Sequence, residues 1–112
     1  MVKSDYTYLQ EKYSTLIQGL IVGEGNAKER LLENSISLHM VFGLTFPYDL
    51  EDRKSKIVKT LSKFPALIEN EKIILSSYGR SIMKVRKSTA SKIINDIYSL
   101  YIELKWILNC ES

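Results

Sequence analysis

A chain of 112 residues, of which 45% are hydrophobic and 26% charged, is long enough for one hydrophobic core and too apolar for an intrinsically disordered protein. The single cysteine excludes an internal disulfide framework, and no apolar run approaches the roughly 18 residues that a membrane-spanning helix needs. The N-terminus shows no secretory signal pattern. We therefore expect one cytoplasmic domain over residues 1–112, with no membrane contact.

The first half of the chain predicts three helices. Ser4 or Asp5 can cap a first helix that extends to about Val22, with an apolar stripe that recurs at steps of three and four residues. After a glycine-rich turn, the second predicted helix covers about Ala27–Phe42 and ends at a glycine. The third begins at a proline and covers about Tyr48–Lys63.

The last third of the chain predicts two more helices. One continuous helix through this region would put Lys92 on the apolar stripe, so the pattern requires a break. A new N-cap at Ser88 or Thr89 restores the phase, with a fourth helix at about Ile73–Arg86 and a fifth at about Thr89–Leu108. The apolar stripe of the fifth helix comprises Ala90, Ile93, Ile94, Ile97, Tyr101, Leu104 and Leu108. With no strand-like alternation, the chain predicts an all-α, single-domain bundle of four or five helices.

The positive charge is concentrated in one stretch. Between Glu71 and Asp96 there are six basic residues and no acidic one, whereas the rest of the chain has ten basic and thirteen acidic residues. Arg80, Lys84 and Lys87 follow a spacing that puts them on one face of the fourth helix. This face is either an ordinary solvated one or a site for an anionic partner, an acidic protein or a nucleic acid. The predicted binding residues are Arg80, Lys84, Arg86, Lys87, Ser88, Thr89 and Lys92.

A second unusual feature lies on the fifth predicted helix. Ile102 and Trp106 are one turn apart and lie roughly 140° from the centre of its core stripe. Either another helix of the bundle covers them, or they form an exposed apolar pair that suits a homodimer or another partner contact. Tyr98 and Lys105 frame that patch.

Residues typical of catalytic or metal sites are scarce. The only histidine, His39, falls near an apolar arc, which favours a partly buried core residue over a catalytic base. Cys110 lies near the C-terminus, and one histidine with one cysteine cannot form the usual zinc site. Asp49, Glu51 and Asp52 are explained by the dipole of the third helix. We therefore expect no enzymatic activity, no metal and no cofactor.

Part of the sequence resembles a loosely defined group of proteins. Arg80–Thr89, Lys92–Ile94 and Ile97–Tyr101, together with Gly25–Leu31, resemble segments of small helical proteins of unassigned function from bacterial genomes, plasmids and prophages. The resemblance implies no activity. It suggests an accessory role in phage or plasmid biology and groups Arg80, Arg86, Ser88 and Thr89 in one constellation.

These observations lead to three hypotheses about function. The first is a non-enzymatic regulatory or interaction module whose basic helix binds an acidic protein partner. The second is a nucleic-acid-binding protein that uses the same face without sequence specificity, since no recognition helix, zinc ligand set or aromatic strand motif is found. The third is an immunity-type protein that neutralises a toxin.

Overall fold

A computed structural model describes residues 6–23 and 25–110. Within these residues the chain forms six helices and one antiparallel hairpin. The helices are α1 (Thr7–Val22), α2 (Ala27–Glu33), α3 (Ser35–Phe42), α4 (Tyr48–Leu61), α5 (Ser77–Lys84) and α6 (Lys87–Cys110), and the strands are β1 (Leu67–Glu69) and β2 (Lys72–Leu75). In this part of the chain, each helix is too short or too polar to traverse a lipid bilayer. The predicted caps Ser4 and Asp5 lie outside the described residues.

The core lies along α6, which packs against α1, α2 and α4. The predicted apolar stripe of this helix is confirmed: Ile97 is fully buried, and only Ile94 and Tyr101 are partly exposed. Leu100, which lies outside the predicted stripe, is also fully buried, because three helices pack around α6. On the side of α1, the Tyr13 hydroxyl donates a hydrogen bond of 2.5 Å to the carbonyl of Ile97. A buried phenol with a buried acceptor fixes α1 against the middle of α6.

Asn34 divides the predicted second helix into two helices, so that prediction is wrong. The backbone of Asn34 leaves the helical conformation (φ −104°, ψ 16°), and its side-chain amide donates to the carbonyl of Arg30 at 2.8 Å. Asparagine competes with the helical backbone in this way, which apolar periodicity does not reveal. The side of α3 that carries Ile36 faces solvent. Leu38 of the same helix is buried, while His39, expected to be partly buried, is exposed with its ring 5.1 Å from that of Tyr78.

A β-hairpin occupies the segment that was predicted as a loop followed by the start of the fourth helix. Ile68 pairs with Ile73 and Glu69 with Lys72, with an irregular register at the base of the hairpin. The two turn residues, Asn70 and Glu71, have φ values of 51° and 64°. Two consecutive left-handed residues form the turn that matches the twist of a hairpin, and β-branched residues favour the strands. Because the turn contains no glycine, the usual sequence signal of a hairpin is missing here.

The predicted break before the last helix is confirmed, but its details differ. α5 begins after Ser76, whose hydroxyl accepts from Gly79 N–H at 3.0 Å, and it ends at Val85, which is extended. α6 begins at Lys87, so Ser88 and Thr89 lie in its first turn and are not N-caps. The molecule is thus mostly helical, as predicted, whereas the hairpin and the two additional boundaries depart from a simple bundle of four or five helices.

Candidate partner-binding surface

α5 separates a buried face from a basic face. Tyr78, Ser81 and Ile82 are buried against α2, α3 and α4, and Arg80 and Lys84 lie on the opposite side. These two cations are about 40° apart around the helix axis, so the prediction that they share a face is confirmed. The prediction that Lys87 belongs to the same helical face is wrong, because α5 ends before it.

The segment after α4 is fixed against α5 by two serine hydroxyls. The amide N–H of Phe64 donates to the buried Ser81 Oγ at 2.9 Å, and the Ser77 hydroxyl donates to the carbonyl of Phe64 at 2.7 Å. Both backbone groups of one residue are therefore satisfied by a neighbouring helix. As a result, the half-buried Phe64 ring has a defined position beside the basic face of α5.

Three cations converge on this segment, two of them over the Phe64 ring. The Nζ atoms of Lys84 and Lys63 lie 5.2 Å and 5.9 Å from the centroid of Phe64. Nη1 of Arg80 donates to the carbonyl of Pro65 at 3.3 Å. Lysine over an aromatic face is a favourable arrangement that also keeps the ammonium group accessible. The sequence pattern placed Lys63 in the last turn of the third helix, but α4 ends at Leu61, and contacts of Phe64 with α5 bring Lys63 beside Lys84.

We define the basic surface as Lys63, Arg80, Lys84, Arg86 and Lys87. Arg86 and Lys87 are exposed at the junction of α5 and α6, directly after the three converging cations. Among the described residues, none of these five cations lies within 4.0 Å of a carboxylate oxygen; the ion pairs are Arg53–Glu103, Lys54–Glu51, Lys56–Asp52 and Lys92–Asp96. The positive field of the basic surface is therefore not neutralised by nearby acidic side chains in that part of the chain.

Three predicted site residues differ from this group. Lys92 forms an exposed pair with Asp96, at 3.6 Å, one turn away on α6, and we leave it out of the basic surface. Ser88 is exposed and Thr89 half-buried in the first turn of α6, where they follow the cations directly. The structure thus brings Ser88 and Thr89 next to the basic surface without giving them the capping role that was predicted.

An apolar surface adjoins the basic one. The hairpin extends from the core with Ile68 59% exposed and Ile73 69% exposed, and Met83 on α5 is 52% exposed. The hydrogen bond from Arg80 to the carbonyl of Pro65 connects the basic surface to a residue two positions before the hairpin. Exposed aliphatic side chains near cations that have no carboxylate partner among the described residues are typical of an interaction site.

The patch on the outer side of α6 is exposed. Tyr98, Ile102 and Trp106 have 45%, 46% and 67% of their surface in contact with solvent. The alternative in which another helix of the bundle covers them is therefore wrong.

The described residues contain no group of three or more histidine, cysteine or acidic side chains that could hold a metal ion. In the first turn of α4, Glu51 accepts a hydrogen bond of 2.8 Å from the N–H of Phe46 and pairs with Lys54 at 3.0 Å. Burial alone would raise the pKa of Glu51, but these two partners together lower it. Glu51 thus satisfies the backbone at the start of α4.

No protein-family model matches this chain, and comparisons with curated proteins and with solved structures likewise give no match.

Proposed function

We propose that this protein is a non-enzymatic interaction module that binds an acidic segment of a partner protein through the basic surface. The observation that supports this proposal is the group of five cations that have no carboxylate partner among the residues the structure describes, together with nearby exposed aliphatic residues. Complementary charge accelerates and orients association, while burial of apolar side chains provides affinity. A regulatory role in phage or plasmid biology is the setting suggested by the sequence resemblance.

The apolar part of this surface favours a protein over a nucleic acid. A phosphate backbone would satisfy the cations but would leave Ile68, Ile73 and Met83 in contact with water. Single-stranded binding needs an open aromatic platform, whereas the Phe64 ring is half-buried and flanked by two lysines. An acidic protein segment with some apolar side chains uses both halves of the surface. A toxin with such a segment would make the protein an immunity factor by the same contact.

Charge reversal on α5 and at the start of α6 tests the proposal. We expect the triple variant Arg80→Glu, Lys84→Glu, Lys87→Glu to lose the proteins that the wild type captures from a nuclease-treated host lysate, measured by quantitative mass spectrometry. Because these side chains are outside the core, helicity and melting temperature should stay close to the wild-type values. Captured proteins that are retained by this variant would overturn the proposal.

A matched variant controls for net charge. Lys12, Lys28 and Lys56 lie on α1, α2 and α4, away from the basic surface, and their replacement by glutamate changes the net charge of the protein equally. This variant should capture the same proteins as the wild type. Equal loss of capture by both variants would show a non-specific charge effect and would contradict the proposed site.

Nucleic-acid binding is the second candidate, favoured by the density of cations without ion-pair partners at the α5–α6 junction. Fluorescently labelled single-stranded and double-stranded oligonucleotides test it by anisotropy. The interaction module is expected to give no retention even at low salt. Binding at low salt that falls steeply with added salt, and that the triple variant loses, would replace the first proposal by the second.

A further inference from the structure

The outer face of α6 is free of charge along most of the helix. Tyr98, Ile102 and Trp106 lie at four-residue steps on this face and are all exposed. The exposed residues within about 40° of Ile102 around the helix axis are uncharged: Ser88, Ser91, Asn95, Tyr98, Trp106 and Asn109. The exposed charges of α6 lie on either side of this row. A solvated helix face normally carries charged side chains, so an uncharged row with an exposed tryptophan in it indicates a surface that is covered in the functional state.

The order of residues in this row is symmetric about Ile102. An aromatic residue stands four positions away on each side, at Tyr98 and Trp106, and an asparagine stands seven positions away on each side, at Asn95 and Asn109. A two-fold axis at Ile102 brings residues at equal distances on either side of it together, so aromatic would meet aromatic and asparagine would meet asparagine in an antiparallel pair. With a two-fold axis at Ile102, this residue meets its own symmetry mate, and Tyr98 meets Trp106 of the second copy.

The charges of α6 favour the antiparallel over the parallel arrangement. In a parallel pair, the cations Arg86 and Lys87 would lie beside those of the second copy, at the end where both helix dipoles are also positive. The antiparallel pair places these like charges at opposite ends. Lys105 lies at one edge of the uncharged row. On the other edge, Glu103 is already paired with Arg53 of α4 within the same chain.

The apolar surface is close to the smallest size expected of a specific dimer interface. Tyr98 and Asn95 line a groove of about 250 Å³ between α6 and α1, and beside it Ile21 and Val22 at the end of α1 are exposed. Together with Ile102 and Trp106, the apolar side chains leave about 500 Å² in water per copy. A two-fold contact over this area buries about 1,000 Å² in total, which reaches the size of a specific interface.

We propose that the protein forms a homodimer in which the α6 helices of two copies pack antiparallel about a two-fold axis at Ile102. The interface uses none of the five residues of the basic surface, so it is independent of the proposed function. Because Lys87 is fifteen residues from Ile102 along the helix, the two basic surfaces lie at opposite ends of the helix pair, about 45 Å apart. The dimer therefore presents two copies of the binding surface to its partner.

Molar mass in solution tests the dimer. Sedimentation velocity of the full chain should give the mass of a dimer at micromolar concentration, and Ile102→Glu should give a monomer with unchanged helicity. The control Ile36→Glu replaces an equally large aliphatic residue that is 81% exposed on α3, and it should remain a dimer. A wild-type protein that is monomeric at high micromolar concentration, or equal dissociation by both substitutions, overturns the proposal.

Cysteine cross-linking tests the orientation, in a Cys110→Ser background. Under mild oxidation, Ile102→Cys should cross-link with itself, and a mixture of Tyr98→Cys and Trp106→Cys chains should cross-link with each other. Neither of the last two variants should form a cross-linked dimer alone. Self-cross-linking of Tyr98→Cys and of Trp106→Cys would show a parallel pair and overturn the antiparallel arrangement.

Discussion

Replacement of Ser81 tests whether α5 holds the segment that carries Phe64. The Ser81 side chain is 1% exposed, and its hydroxyl oxygen accepts the hydrogen bond from the N–H of Phe64. Ser81→Ala removes the acceptor and leaves the amide without a partner, which costs about 1–3 kcal/mol for a buried group. Because Phe64 is half-buried, water can reach part of this region, and we expect a loss of about 1.5 kcal/mol.

Thermal and urea unfolding followed by circular dichroism measure this loss. For a domain of this size, we expect the melting temperature to fall by about 5–8 °C. Ser55→Ala, at an exposed position of α4, is the matched control and should change the free energy of unfolding by less than about 0.5 kcal/mol. The reasoning would be refuted if Ser81→Ala were as stable as this control.

Ser77 provides an internal comparison because it holds the other backbone group of Phe64. Ser77→Ala removes the hydroxyl that donates to the carbonyl of Phe64. This carbonyl adjoins the exposed Pro65, so water can replace the lost hydroxyl more easily than it can at Ser81. We expect a smaller loss, about 0.5–1 kcal/mol. The double variant should lose less than the sum of the two single losses, since both hydroxyls act on the same residue.

Two further predictions concern the core and the hairpin turn. Burial raises the pKa of Tyr13, so the unfolded chain ionises this phenol first and the free energy of unfolding falls as the pH rises above about 10. Tyr13→Phe should reduce this loss of stability, measured by urea titrations at several alkaline pH values. Burial also raises the pKa of Tyr78, so part of the loss should remain. A loss as large as that of the wild type would contradict the assignment to Tyr13. Glu71→Gly should raise the free energy of unfolding by about 0.5–1 kcal/mol, because glycine adopts the left-handed φ of this position without strain. Glu69→Gly, within β1, should lower it in the same assay, and a loss of stability from both would refute a left-handed turn at Glu71.

The parts of the fold that sequence predicted are those in which one helix repeats a pattern over many residues. The stripe around Ile97 on α6 is such a case, since each additional turn confirms the same phase. The helix break at Asn34 and the hairpin turn at Asn70 and Glu71 instead depend on the backbone conformation of one or two residues. Apolar periodicity continues across Asn34, and Ile73 fits a helical stripe as well as a strand, so the pattern alone does not reveal either boundary.

The same distinction explains why the sequence predicted only part of the candidate site. Arg80 and Lys84 are one turn apart on a single helix, which spacing specifies directly. Lys63 joins them only because two serines of α5 fix the backbone of Phe64, a tertiary contact between segments that are far apart in sequence. The exposure of Trp106 was left open by the sequence because it depends on whether another helix covers that side of α6.

The hairpin has a consequence for the form in which a partner can bind. A sheet of two strands has two open edges, and each edge presents backbone donors and acceptors that lie in register. An extended segment of another protein can therefore add as a third strand, with its side chains alternating between the two faces. The same edges can also pair non-specifically with strands of other molecules. The irregular register at Leu67 and Ile68 limits this pairing, because it interrupts the hydrogen-bond ladder at the base of the hairpin. Recognition by strand addition would thus be confined to the few residues near the tip.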